Sequence, residues 1–462
     1  MKNVQEIANQ HAPSGKHLSV EERQAAGKAL RKQVPHDAHG EWKPADDRAD
    51  PVALLEISNR GRIPDLVPVR HHRMLESPFT FYRGSALAMA ADLAQTPVTG
   101  IQVQACGDAH LMNFGGFASP ERTLIFDLND FDETLPGPWE WDLKRLVTSI
   151  YIAGEDLELK EDAIDDAVRA TAESYRQAIR DYGGMRALDV WYSQIQADTL
   201  LEYAPDKTTE KAWKRMTSRA EDRTGADAFL KQTEEVNGKR RLIDQPPQLN
   251  HPPEAEAYFA KIKNIYEKYV TTLRDEYQFL LQRYRLVDAS LKVVGVGSVG
   301  THCGVALLMA DDDDPLMLQF KEARPSVLEP YVEHPPITHQ GRRVVHGQRL
   351  MQAASDIFLG WTSDEAGQDY YFRQLWDKKT SINLKGFSAK GLMAYGNICS
   401  RALARAHACS GNPAMIGGYL GSDNGFDKAL TKFARAYAKQ NKSDYTAMMA
   451  AVKEGRIEVK PG

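Results

Sequence analysis

Cysteine is scarce in this chain. Among 462 residues only Cys106, Cys303, Cys399 and Cys409 occur, widely spaced and with no Cys-x-x-Cys pair, which argues against a disulfide framework or a cysteine zinc site. Long apolar runs are missing too. No stretch approaches the roughly 18 residues of a membrane span, and the polar opening Met-Lys-Asn-Val-Gln-Glu has no secretory pattern, so a cytoplasmic protein with no membrane partner is expected. Nor is there an excess of either charge. With 58 Lys and Arg against 63 Asp and Glu the net charge is −5, and nucleic acid is disfavoured as a partner. What is present, 42% hydrophobic and 26% charged residues, is ordinary for a folded protein of two or three domains.

The most informative stretch runs Cys106-Gly-Asp-Ala-His-Leu-Met-Asn113-Phe-Gly, then Thr123-Leu-Ile-Phe-Asp127-Leu-Asn-Asp130-Phe-Asp132-Glu133. Two short apolar segments, Ile101–Ala105 and Thr123–Phe126, read as strands, which puts Asp108, His110, Asn113, Asp127 and Asp130 on turns near strand ends. Scaffolds commonly place chemistry there. Carboxylate and amide oxygens suit Mg²⁺ better than zinc, and the combination points to phosphoryl transfer, in which one carboxylate orients the acceptor and others hold metal against phosphate. The bland reading is a set of turn-forming acids. His110, two residues after Asp108, is expected to brace the loop through a backbone carbonyl.

Before this core, Ser19 and Glu22 form a capping box for a short helix in a polar arm spanning residues 1–60. Arg70-His-His-Arg73 and Arg83 are set among aromatics; they could bind phosphate or pair with the nearby acids. After the core, a helix starts near Trp139 with Asp142 in its first turn, where exposed amides favour a carboxylate. Long helices are expected over roughly 143–235, a hairpin at Asn237-Gly238, and another helix over about 254–285.

The second informative stretch is Leu291-Lys-Val-Val-Gly295-Val-Gly297-Ser-Val-Gly300-Thr-His-Cys-Gly304. A strand follows its glycines, so a dinucleotide fold is disfavoured and a glycine hairpin between antiparallel strands fits better. An acidic turn, Asp311 to Asp314, leads into Leu316-Met-Leu-Gln-Phe-Lys321, a strand with one lysine among apolar residues. A glycine-rich hairpin followed by a strand lysine is how protein kinases cover nucleotide phosphates; a plain meander with a solvated lysine is the alternative. A helix over 342–352, two paired strands over 357–376, an Asp377-Lys-Lys-Thr hinge and helices from Ala389 complete the chain.

The block from Arg70 through Leu146, with Gln319-Phe-Lys-Glu-Ala and Asp356-Ile-Phe-Leu-Gly-Trp, resembles an uncharacterised bacterial family, domain of unknown function 2252, over nearly the whole chain. That family is grouped with the protein-kinase-like superfamily, and Gly107-Asp108-Ala-His110-Leu-Met-Asn113 is similar to the catalytic loop of its aminoglycoside and choline kinase branch. The resemblance implies Asp108 as catalytic base, Asn113 and Asp130 as metal ligands with Asp127 competing, and Lys321 as the phosphate-binding lysine, with Gly295, Gly297 and Gly300 over the nucleotide. ATP and Mg²⁺ are the implied cofactors, and the acceptor is unspecified.

The catalytic loop here precedes the glycine hairpin, whereas kinases run hairpin first. The resemblance therefore implies a circularly permuted two-lobed α+β fold, tolerable when the original termini lie close together. Its large helical lobe would be residues 61–285, its small antiparallel-sheet lobe 286–385, and the helices of 386–462 would complete the large lobe. In such kinases a helix ending in His then Gly leads into the catalytic loop; here His407 to Gly411 follows the small lobe. Glu329 is the weak candidate for the lysine's acidic partner. The expected function is phosphoryl or nucleotidyl transfer, against an inactive nucleotide-binding protein, a metal-dependent hydrolase built on Asp108, His110, Asp127 and Asp130, or a purely structural protein.

Overall fold

The computed structural model describes residues 18–461 except 222–228, 230–231, 247, 294, 312–313 and 376–378. The middle of the expected acidic turn, Trp376 at the end of the second paired strand, and the start of the expected hinge at Asp377 lie outside the described residues. Helices and small antiparallel sheets mix in an α+β arrangement. No helix of the described residues is long and apolar enough to cross a membrane.

The acidic stretch is built on two small strand pairs. β1 (Gln102–Ala105) pairs with β4 (Leu135–Pro138), and β2 (Phe114–Ala118) pairs with β3 (Leu124–Leu128). Directly after β4 comes α1 (Trp139–Asp156), buried along nearly its whole length, and α2 (Glu161–Gly184), whose inner face carries Ile164, Ala167, Val168, Ala172, Tyr175 and Ile179 at the three- and four-residue spacing of an apolar helix stripe. The later helices α5 (Ala389–Ser410) and α6 (Gly425–Lys453) close the same core. Long helices do not fill 143–235 throughout: Ile195–Gln196 adds a third strand beside β3, and the helix over Lys207–Glu221 follows a separate turn.

A second core is organised by the sheet that contains β5 (Arg285–Lys292), β6 (Cys303–Met309), β7 (Pro315–Glu322), β8 (Gly360–Ser363) and β9 (Asp369–Gln374), in the order β8-β9-β7-β6-β5 with Leu249–Asn250 outside β5. Six antiparallel strands in one sheet leave few open edges. One face packs on α3 (Ala255–Val270) through Ile262, Ile265 and Tyr269 against Leu308, Phe320 and Phe372. The helix over residues expected to end the large lobe thus covers this sheet. α4 (Gln340–Met351) lies between β7 and β8 in sequence and joins the sheet to the acidic loops.

Parts of the expected arm pack on the helical core, with Gly27, His39, Gly40, Val52, Leu54 and Leu55 buried. The capping box of Ser19 and Glu22 is formed, and the helix it starts crosses Pro413–Leu420 where Gly27 and Gly418 let backbones meet; a Cβ on Gly27 would sit 2.0 Å from the Met415 carbonyl oxygen. At the expected hairpin both Asn237 (φ 53°) and Gly238 (φ 71°) are left-handed, the conformation that a tight primed turn requires.

Candidate active site

Asp142 sets the backbone of the acidic loop. It does not cap its own helix, as its first-turn position suggested; its carboxylate accepts the N–H of Cys106 at 2.6 Å and of Gly107 at 2.9 Å. His407 Nε2, at 3.2 Å, reaches the same carboxylate, and His407 Nδ1 meets the Tyr175 hydroxyl at 2.7 Å. All three side chains are buried. Gly107, with φ +82°, makes the turn: a Cβ there would strike the Glu133 carbonyl oxygen at 2.4 Å.

Asp108 emerges from this turn. Arg145 on α1 holds its Oδ1 at 2.6 Å, while His110 Nε2 lies 3.6 Å from its Oδ2. The expected bond from His110 to a backbone carbonyl is not formed; its Nδ1 is buried with no hydrogen-bond partner. Burial, aided by Arg83 and Arg145 and opposed by Asp108, pushes the imidazole down to about 3. His110 is therefore a neutral wall of the site at ordinary pH.

Asn113 donates through Nδ2 to the carbonyls of Asp108 at 2.9 Å and Asp130 at 3.2 Å. Those two acceptors orient the amide and turn Oδ1 the other way. Burial raises the Asp130 carboxyl, but Lys321, Arg373 and Lys379 outweigh it and hold the group below the usual carboxylate range. Asp127 is turned away. Its carboxylate accepts the N–H of Leu128 at 2.8 Å and of Ala353 at 2.9 Å, with Arg405 beyond at 4.0 Å. Asp127 does not line the cleft with Asp108, His110 and Asp130, so the four-residue hydrolase set does not converge.

Across from these acids stands the glycine turn. Val296–Ser298 forms a single helical turn between β5 and β6, and Gly295, Gly297 and Ser298 face Asp108, Asn113, Asp130, Gln319, Lys321, Arg373 and Arg83 around a cleft of about 170 Å³. Gly300 does not line the cleft. With φ +85° it turns the chain beside Arg62, and its carbonyl accepts the Ile63 N–H at 2.7 Å. A larger cavity of about 580 Å³, between Trp42, Arg169 and Lys432, contains none of these residues.

Lys321, 2% exposed, points into the cleft from β7 and pairs with Asp132. Burial pulls its ammonium down, yet Asp130 and Asp132 outweigh it and hold it above the ordinary value. Glu329 is not its partner; that carboxylate takes the side-chain amide of Gln340 at 2.9 Å. Asp132, missed from sequence, is the acid between the halves: Tyr371 donates to its Oδ1 at 2.8 Å and Ser298 to its Oδ2 at 3.4 Å. Arg343 on α4, also missed, donates to the backbone carbonyls of Asp132 (2.8 Å), Thr134 (2.7 Å) and Arg324 (2.7 Å). No local pattern signals either role, because an Arg on an amphipathic helix and a third Asp in an acidic turn are both common.

The end of α5 lies against the start of the acidic loop. Ser410 Oγ accepts the Gln104 N–H at 3.1 Å, and a Cβ on Gly411 would meet Val103 at 2.6 Å. Among the described residues no group of three or more His, Cys, Asp or Glu side chains converges as a metal centre; the side chains with oxygens around the cleft are the carboxylates of Asp108 and Asp130, the amides of Asn113 and Gln319 and the Ser298 hydroxyl.

No match was found among curated proteins or among solved structures. Residues 62–451 match the model of a family described as an uncharacterized protein conserved in bacteria. The chain belongs to that family, DUF2252.

Proposed function

We propose that this protein transfers a phosphoryl group from Mg-ATP to a hydroxyl-bearing acceptor, in a kinase-like cleft whose halves follow one another in permuted order. The observation that carries the reading is the meeting of Asp108, Asn113 and Asp130 with Gly295, Gly297 and Lys321 around one cleft, although Lys321 and Asp132 are 189 positions apart. The lobes of the reading are residues 61–285 with 386–462, and residues 286–385, except that Leu249–Asn250 and the helix α3 go with the sheet of the second lobe. Contact between Gly411 and β1 supports the permuted order, since that is where an unpermuted chain would connect.

The cleft suits the phosphate portion of a nucleotide. At about 170 Å³ it is smaller than the roughly 300–1,000 Å³ of whole-ligand pockets, and its far side is lined by a glycine turn, whose missing side chains allow close backbone approach. Asn113 Oδ1 and the Asp130 carboxylate are the hard oxygen donors that Mg²⁺ takes alongside phosphate oxygens and waters. Bound there, the metal would neutralise phosphate charge. Lys321, kept charged by Asp130 and Asp132, supplies a fixed cation against the phosphates.

Asp108 acts on the acceptor. With Oδ1 held by Arg145, Oδ2 is left to orient the hydroxyl and to take its proton as the loose transition state collapses. The acceptor oxygen bonds to the terminal phosphorus while the bridging P–O bond breaks. ADP leaves and Asp108 carries the proton.

Two variants and one screen test the proposal. Mg²⁺-dependent stabilisation by ATP in a thermal-shift titration is expected for the native chain. Asp108→Asn should lose about 10²-fold or more of turnover with ATP affinity kept within a few-fold, whereas Lys321→Ala should lose ATP affinity. Unchanged turnover in the Asp108 variant, or no nucleotide response in the native chain, overturns the reading.

A further inference from the structure

Arg83 stands on the rim between the glycine turn and the acidic loop. It lines the cleft beside Asp108 and Asp130, and its backbone carbonyl would lie 3.8 Å from a Cβ on Gly297. Its Nε is buried and makes no hydrogen bond. A desolvated cation left incompletely paired costs free energy, and such a group calls for a ligand or a mechanistic use.

The position of Arg83 is built by other arginines. Arg145, while holding Asp108, donates to the Tyr82 carbonyl at 2.9 Å, and Arg70 donates to the Gly84 carbonyl at 2.7 Å. Both carbonyls flanking residue 83 are thus held by buried guanidiniums, and the Tyr82 ring lies 4.0 Å from the Arg145 guanidinium. The short helix carrying Arg83 starts at Pro78 with a capping box of Ser77 and Thr80.

Charge is divided along the cleft. Lys321 and Arg373 stand at the Asp130 end, where Arg373 Nε donates to Gln319 at 2.9 Å, and Arg83 stands at the Asp108 end. In the phosphotransfer reading, on which this inference rests, the Asp108 end is where the transferring group sits. We propose that Arg83 binds the terminal phosphoryl group of the donor nucleotide, supplying from the N-terminal segment of the same chain a cation that faces the group in transfer. Its N–H donors match phosphoryl oxygens in a planar fork, and a cation placed there stabilises the charge that spreads over those oxygens in transfer.

Discrimination between ATP and ADP reads this contact directly. Dissociation constants for Mg-ATP and Mg-ADP would be measured by calorimetry on the full chain and on Arg83→Gln and Arg83→Lys. Arg83→Gln should weaken Mg-ATP on the order of tenfold and leave Mg-ADP within about twofold, with Arg83→Lys recovering part of the loss. Equal weakening of both nucleotides would mean a structural role, and no weakening of either would mean that the guanidinium does not reach the terminal phosphate; each overturns the proposal. Absence of nucleotide binding to the native chain is a different failure, that of the phosphotransfer reading itself. Circular dichroism of each variant separates unfolding from loss of contact.

Discussion

The two sides of the cleft are anchored very differently. The acidic loop is fixed from beneath by buried groups on three helices: Asp142 on the amides of Cys106 and Gly107, His407 on Asp142, Tyr175 on His407 and Arg145 on Asp108. The glycine turn is held mainly by a strap, in which Arg62 donates to the Val299 carbonyl at 2.6 Å and to the Ser58 carbonyl at 3.0 Å, and Ile63 donates to the Gly300 carbonyl. Buried charge networks tolerate little displacement, because any unpaired member bears its full desolvation cost. The strap is a peripheral clasp. One side of the site should therefore resist displacement more than the other.

The largest effect should come from the rigid side. Asp142→Ala removes the acceptor of two buried amides and the partner of His407, and should cost about 3–5 kcal/mol of stability, read as a markedly lower denaturation midpoint. A variant as stable as the native chain would mean that the loop is held elsewhere. Smaller and more local should be Arg62→Ala, which leaves the Val299 carbonyl without its donor at a cost of about 1–3 kcal/mol. Hydrogen exchange should quicken over residues 295–300 and stay unchanged over 106–110; equal acceleration on both sides would erase the contrast.

A pH-dependent effect concerns Glu133, at the junction of the two sides. Burial raises its carboxyl from 4.5 to about 7, although the Val327 N–H at 2.7 Å favours the ionised form. An acid whose folded value lies above its unfolded one binds more protons when folded, so its contribution to stability declines as pH rises from 4.5 toward 7. Between about pH 5 and about pH 8 the native melting temperature should fall by about 2 °C or more relative to Glu133→Gln. Parallel pH profiles would show that Glu133 ionises without cost.

Much of the local structure was legible in the order of residues. Ser19 with Glu22 announced a cap, Asn237-Gly238 a primed turn, and the glycines between two apolar runs a turn between antiparallel strands, because each of these depends on a few neighbouring dihedrals and bonds. Asp108, Asn113, Asp130 and Lys321, which line one cleft, drew attention in the sequence because acids and an amide crowd turns between apolar strands, because one lysine interrupts an apolar strand, and through the family resemblance. Asp127 was the competing choice to Asp130, and its carboxylate serves the Leu128 and Ala353 amides. Spacing along a strand does not tell which face of a small sheet borders the cleft.

Sequence by itself determined many of the elements, their apolar faces and the chemical types available at each turn, since these follow from local propensity and periodicity. Tertiary structure alone decided which groups meet. Asp142 serves the loop rather than its own helix, Asp132 rather than Glu329 takes Lys321, and Arg83, Arg62 and Arg343 reach from distant segments to the two sides of the cleft. Each of those pairings joins residues far apart in the chain, and only the packing of the sheet against the helical core brings them within hydrogen-bonding distance, where direction and desolvation select the partner.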